Sequence, residues 1–183
     1  MYFDMYGPFE VGRIDGQVPS RQPAMWKQVR EASMKAGYGE TELETSIGCY
    51  AFGIKHGDTL RPWYVGMTAA KGGFRAEIFQ KHKLDHYNDV VAERRGTPIM
   101  FLMPLLTPED RFSRDRGASV PLIQWVEKML FGVALKRNPE CRNKRDTKFL
   151  RNVEVRGVFN SRRKGPAGAT VSAARQMFGT EGS

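Results

Sequence analysis

Two short apolar runs, GCYAFGI at 48–54 and LRPWYVG at 60–66, flank a polar stretch at 55–59 that contains Gly57. Aromatic and β-branched residues on either side of a glycine-bearing turn predict a β-hairpin. Side chains alternate faces along a strand, so Gly48, Tyr50, Phe52 and Ile54 share one face, as do Leu60, Tyr64 and Gly66. If 55–59 is a five-residue loop, Ile54 opposes Leu60 and Tyr50 lies directly across from Tyr64, two phenols side by side. Cys49 then points to the opposite face as a small buried hydrophobe.

Further along, TPIMFLMPLL at 97–106 is a near-continuous apolar run, read as a third, central strand with Pro104 near its end. The segment FRAEIFQKHKL, at 74–84, carries Phe74 and Ile78 at helical spacing, with Arg75 and His82 almost in line beside that face. The best helix spans 121–138: Pro121 suits its first turn, and Leu122, Val126, Met129, Leu130 and Val133 make its apolar stripe. Glu127 falls at the edge of that stripe, between Ile123 and Ala134 on one side and Phe131 on the other. A carboxylate there is costly unless a metal ion or an arginine compensates it, or it bends out to water. Asn138 closes this helix in the left-handed conformation that asparagine tolerates. Residues 23–36 read as a helix opened by Pro23 and closed by Gly37, residues 1–21 as turns, 107–119 as an exposed loop, 152–160 as a last strand and 170–178 as a short terminal helix.

A chain of 183 residues with 40% hydrophobic content can bury the core of one packed domain with appendages, not of two independent ones. No apolar run approaches bilayer length and the N-terminus lacks a secretory pattern, so the expected setting is soluble and cytoplasmic, without a membrane partner. Cys49 and Cys141 alone make neither a disulfide framework nor a zinc site. Charge changes the picture most. Residues 136–164 hold eleven Lys or Arg against three acids, nearly all of the chain's net charge of +9. Such a block attracts a phosphate backbone with little base specificity.

In their order and types, Gly48, Cys49, Tyr50 and Tyr64, Val65, Gly66, then Arg75, Glu127 and Asn143, resemble the GIY-YIG nucleases over roughly residues 47–143. The resemblance implies a metal-dependent endonuclease, a hydrolase acting on phosphodiester bonds, with Tyr50 and Tyr64 as its catalytic tyrosines beside Gly48 and Gly66. It implies that Arg75 contacts the scissile phosphate, with Lys71 competing for the part, and that Glu127 is the ligand of one Mg2+ or Mn2+ ion. Asn143 would orient substrate and His82 would assist proton transfer. The general base is assigned to Tyr50, with Tyr64 positioning water or phosphate. Cys49, where a larger aliphatic residue is usual, and the 14-residue separation of the tyrosines depart from the family pattern.

The fold implied is α/β of the α+β kind: a small, three-stranded, mainly antiparallel central sheet flanked by helices, GIY-YIG-like. An N-terminal helical extension (1–46) packs on a catalytic domain (47–150), followed by a basic C-terminal extension (151–183). Arg142, Lys144, Arg145, Lys148, Arg162, Arg163 and Lys164 are the expected nucleic-acid contacts, with DNA first and RNA as the alternative. A protein partner or an oligomer would supply cutting specificity. Three other readings stand beside this one: an inactive nucleic-acid-binding module of the same fold, a metal hydrolase built on His82 and His86, and a ribosome-associated structural protein.

Overall fold

The computed structural model describes residues 1–142 and 168–178. The chain divides into two compact units, Met1–Arg142 and Asn143–Ser183. In the first, among the described residues, five strands form one antiparallel sheet: β1 (Tyr2–Phe3), β2 (Tyr6–Glu10), β3 (Gly48–His56), β4 (Thr59–Thr68) and β5 (Thr97–Leu106). Both β1 and β2 pair with one edge of β5, whose other edge pairs with β3, and β4 closes the order. The three strands expected from the sequence are thus contiguous members of a five-stranded sheet, with β5 and β3 inside it and β4 at its edge. The N-terminal strands were hidden by their shortness and by Gly7 and Pro8 inside β2, which break any regular alternation.

The hairpin forms, with a different register. Its turn is only two residues long, Gly57 and Asp58, because His56 pairs with Thr59 and Gly57 takes φ +57° at the position where primed turns need it. The register then shifts between Phe52 and Gly53: Gly53 pairs with Pro62 and Phe52 with Tyr64, leaving Trp63 as the extra residue of a bulge. As a result Tyr50 opposes Gly66, not Tyr64, and Leu60 opposes Lys55 instead of Ile54. Two phases of pairing separated by a bulge cannot be read from a count that assumes one.

The face with Tyr50, Phe52 and Ile54 packs against Met25, Trp26 and Val29 of α1 (Pro23–Lys35) and Tyr87, Val90 and Val91 of α4 (Lys81–Glu93). The opposite face carries Cys49, which joins Ile47, Met103, Leu105 and Ile123 of α5 (Ser119–Arg137) in a second cluster. Cys49 is the fully buried small hydrophobe its position suggested. A short α2 (Glu42–Thr45) precedes β3.

Two helices replace the continuous one expected at 74–84. The first, α3, covers Gly73–Glu77; Gln80 is extended and its carbonyl accepts the amides of Lys83 and Leu84, starting α4 afresh. Arg75 and His82 therefore lie on different helices, and His82 is exposed. On α5 the buried face is Ser119, Ile123, Phe131 and Ala134, while Trp125, Met129 and Val133 are exposed. Of the expected stripe, Leu122, Val126 and Leu130 pack partly buried on the second cluster, whereas Met129 and Val133 do not; the buried face is centred further round, and Glu127, four residues from both Ile123 and Phe131, falls on the inward side. Asn138 ends α5 in an extended conformation, not a left-handed one; its amide donates to the Pro62 carbonyl at 2.7 Å, tying the helix end to β4. In the 107–119 loop, Phe112 and Ser113 are buried, so that segment is only partly exposed.

In the second unit, α6 (Ala169–Phe178) matches the terminal helix expected at 170–178. The strand expected at 152–160 lies outside the described residues. Among the described residues no helix is long and apolar enough to cross a membrane.

Candidate active site

Alternation on β3 and β4 puts both tyrosines on one face despite the changed register, as diagonal neighbours. Their rings stack with centroids 6.2 Å apart at 23°. Gly66 makes this approach geometrically feasible: a Cβ there would lie 2.5 Å from both Cζ and Oη of Tyr50. Gly48 opens β3 with φ +154° and has the Met103 carbonyl where a side chain would begin. Gly48 and Gly66 are thus both explained by close packing. Phe74 meets Tyr50 edge-on at 6.4 Å, and His86 stacks on Tyr64 at 5.7 Å.

The tyrosines differ in access. Tyr50 is fully buried, whereas Tyr64 is half-buried. Tyr87 lies edge-on to Tyr64 at 5.7 Å. The Tyr50 hydroxyl is close enough to those of Tyr64 and Tyr87 to favour their ionised forms, yet Tyr50 and Tyr87 settle into no well-aligned hydrogen bond. Burial first, then neighbouring phenols and the carboxylates of Glu77 and Glu127, hold Tyr50 well above the ordinary phenol range. Tyr64 is pushed up to about 12, by burial first and Glu127 second. The charge of Glu127 also reaches Cys49 and Lys83. Strands β3 and β4 and helix α5 therefore bring Tyr50, Tyr64 and Glu127 into one electrostatic neighbourhood.

Arg75 is placed elsewhere. Its Nη1 pairs with Glu44 Oε2 at 3.1 Å and its guanidinium lies 5.3 Å from the Trp26 ring. Glu44 is buried and also paired with Arg30 at 3.3 Å. The cation brought over the Tyr50 ring is instead Lys83, 5.2 Å from its centroid. Sequence reading missed Lys83, Glu77 and Tyr87, and considered His86 only as a metal ligand paired with His82. A signal existed: Lys83, Tyr87 and Val90 fall at i, i+4 and i+7 on one face of α4, so the lysine shares an apolar stripe. Lys71 is exposed, and its carbonyl accepts from Arg116. Arg142 bonds Glu93 at 2.6 Å and donates its backbone N–H to the Trp63 carbonyl. Asn143, Lys144, Arg145, Lys148, Arg162, Arg163 and Lys164 lie outside the described residues.

These phenols predict a pH response. A group whose folded pKa is raised stabilises the fold below its unfolded pKa and loses that contribution as pH rises toward the folded value. For Tyr50, Tyr64 and Tyr87 the loss begins near pH ~10. Lys83, whose folded pKa is lowered by burial, works the other way over the range below about 10.5. Three phenols outweigh one amine, so thermal stability should fall as pH rises past about 10, and less steeply in Tyr87→Phe. Circular-dichroism melts across that range check this; a Tm unchanged to about pH 11 would contradict buried phenols.

No family model, no curated protein and no solved structure matches the chain.

Proposed function

We propose that the chain is a metal-dependent endonuclease of the GIY-YIG type that hydrolyses phosphodiester bonds in DNA. The reading is supported above all by the convergence of Tyr50, Tyr64 and Glu127 from three separate segments, with a glycine cut to fit one ring.

Among the described residues no group of three or more His, Cys, Asp or Glu side chains is placed to hold a metal. The residues present fit an ion held by one carboxylate, Glu127, and otherwise by water and phosphate oxygens, which suits Mg2+ or Mn2+ better than zinc. When bound, such an ion polarises the scissile phosphate and stabilises the leaving oxygen. The same count leaves the His82 and His86 pair without a third ligand.

Access reverses the roles first given to the tyrosines. Tyr64, half-buried, is the phenol that can meet the attacking water; Tyr50, sealed behind it, supports it through its hydroxyl. With its pKa near 12, Tyr64 is protonated at neutral pH and orients water by hydrogen bonding; it accepts a proton only where the field of Glu127 is offset. Arg75 can exchange Glu44 for a substrate phosphate without orphaning that buried carboxylate, because Arg30 still holds it. The basic segment after α5 would bind backbone phosphates.

A second reading, a non-catalytic nucleic-acid-binding module, is favoured by the burial of Tyr50 and the pairing of Arg75. One experiment separates the two: labelled DNA and, in parallel, RNA incubated with the purified chain, with Mg2+ or with EDTA. Cleavage with Mg2+ alone supports the enzyme, retardation without cleavage supports the module, and neither outcome removes both. Replacing Arg162, Arg163 and Lys164 with Gln should flatten the dependence of log K on log salt by up to about 0.9 per lost phosphate contact, with chemistry retained. An unchanged slope would mean these side chains touch no phosphate.

A further inference from the structure

We propose that Lys83 is a positioning residue of the tyrosine site: its ammonium, fixed over the ring of Tyr50 by Glu77, holds that ring behind Tyr64 and offsets the negative charge of the phenolate form that can take a proton from water. This rests on the nuclease reading and deepens it.

Three observations carry it. Lys83 is 4% exposed, where lysines are rarely found. Its Nζ donates to both the carboxylate and the backbone carbonyl of Glu77, so two of three donors are committed to one residue at the end of α3. It lies 5.2 Å from the Tyr50 ring centroid, in the range of a cation–π contact. The hydroxyls of Tyr50 and of Tyr87, one turn on from Lys83 in α4, are buried with neither in a well-aligned hydrogen bond.

The surroundings make the cation meaningful. Among the described residues, the charged and titratable groups acting at this place are Glu77 at the end of α3, Lys83, His86 and Tyr87 on α4, Glu127 on α5, Cys141 after it, and Tyr50 and Tyr64 on the sheet. Apart from Lys83, and His86 when protonated, every one is acidic. The phenolate that takes a proton from water would face Glu77 and Glu127, both of which oppose that ionised form. Among the described residues, Lys83 is the cation held over the Tyr50 ring.

A buried ammonium is poor material for a core. Burial works against its charged form, and Glu77 compensates. Methionine has a similar length and no charge to desolvate, and Glu77 keeps access to water, at 21% exposure. If Lys83 serves only the fold, removing it with Glu77 left behind should destabilise. If it serves the site, Lys83→Met should leave the fold as stable or more so.

The test compares wild type, Lys83→Met and Lys83→Arg by melting temperature and by steady-state cleavage of a labelled DNA duplex with Mg2+. For Lys83→Met the expected result is a Tm at or a few degrees above wild type, a kcat lowered about 100-fold, and a KM within about twofold, because substrate is not touched. Lys83→Arg should recover at least about a tenth of wild-type kcat, since charge is restored with altered shape. Full activity in Lys83→Met overturns the proposal, as does a fall in Tm that arginine repairs without repairing kcat. If wild type itself cleaves neither DNA nor RNA, the nuclease reading fails alone. The melting arm then decides: a Tm at or above wild type keeps Lys83 as a cation the fold does not require, and a lowered Tm overturns the inference.

Discussion

Glu127→Gln is expected to lower Mg2+-dependent cleavage by about 100-fold or more, while thermal stability and DNA affinity stay close to wild type. Glutamine keeps the length and hydrogen-bonding capacity of the side chain, so the inward side of α5 between Ile123 and Phe131 stays filled. What disappears is the negative charge and the ability to ligate a hard cation. The effect should be visible without turnover. Glu127 is the second-largest cause of the raised pKa of Tyr64, after burial, so the glutamine variant should ionise that phenol at lower pH. Phenolate absorbance, compared with the same variant carrying Tyr64→Phe, isolates the contribution. Unchanged cleavage would remove Glu127 from the mechanism; an unchanged Tyr64 titration would mean that its charge does not reach the phenol.

The parts of this architecture that were legible in the chain are those set by local pattern. The hairpin, the helix opened by Pro23 and the run at 97–106 follow from β-propensity, a capping proline and continuous hydrophobicity. The shared face of Tyr50 and Tyr64 was legible as well, because a period of two survived the change in register. What failed depended on counting through an irregularity or on distant partners. A two-residue turn and a bulge at Trp63 together displaced the pairing that a uniform ladder would have given. An extended Gln80 divided one helix into two, and Arg75, on the first of them, pairs with Glu44, 31 residues earlier in the chain. The inward side of α5 was only partly read because Met129 and Val133 are apolar and exposed, so hydrophobicity alone did not mark the buried face. Lys83 was passed over because a lysine is ordinarily solvated; its place on the α4 stripe was the clue.

Gly66→Ala is expected to disable the site through Tyr50, and to be forgiven when Tyr50 is made smaller. The new methyl carbon would stand 2.5 Å from Cζ and Oη of Tyr50, inside the distance any real pair of such atoms tolerates. Something must move, and the ring is sealed on its other sides by Phe74, Tyr64 and Lys83. Overpacking of this kind costs about 1–3 kcal/mol, and displacing the ring withdraws its hydroxyl from Tyr64, so kcat should fall together with Tm. Tyr50→Leu alone empties part of a fully buried aromatic site and should also destabilise, by about 2–4 kcal/mol. Because the clash and the ring are one object, the double variant should lose less than the two singles combined. The expected coupling is favourable and about 1 kcal/mol or more, measured by denaturant unfolding of all four proteins. Strict additivity would show that residue 66 does not bear on Tyr50, and the close fit between Gly66 and Tyr50 would then have no energetic content.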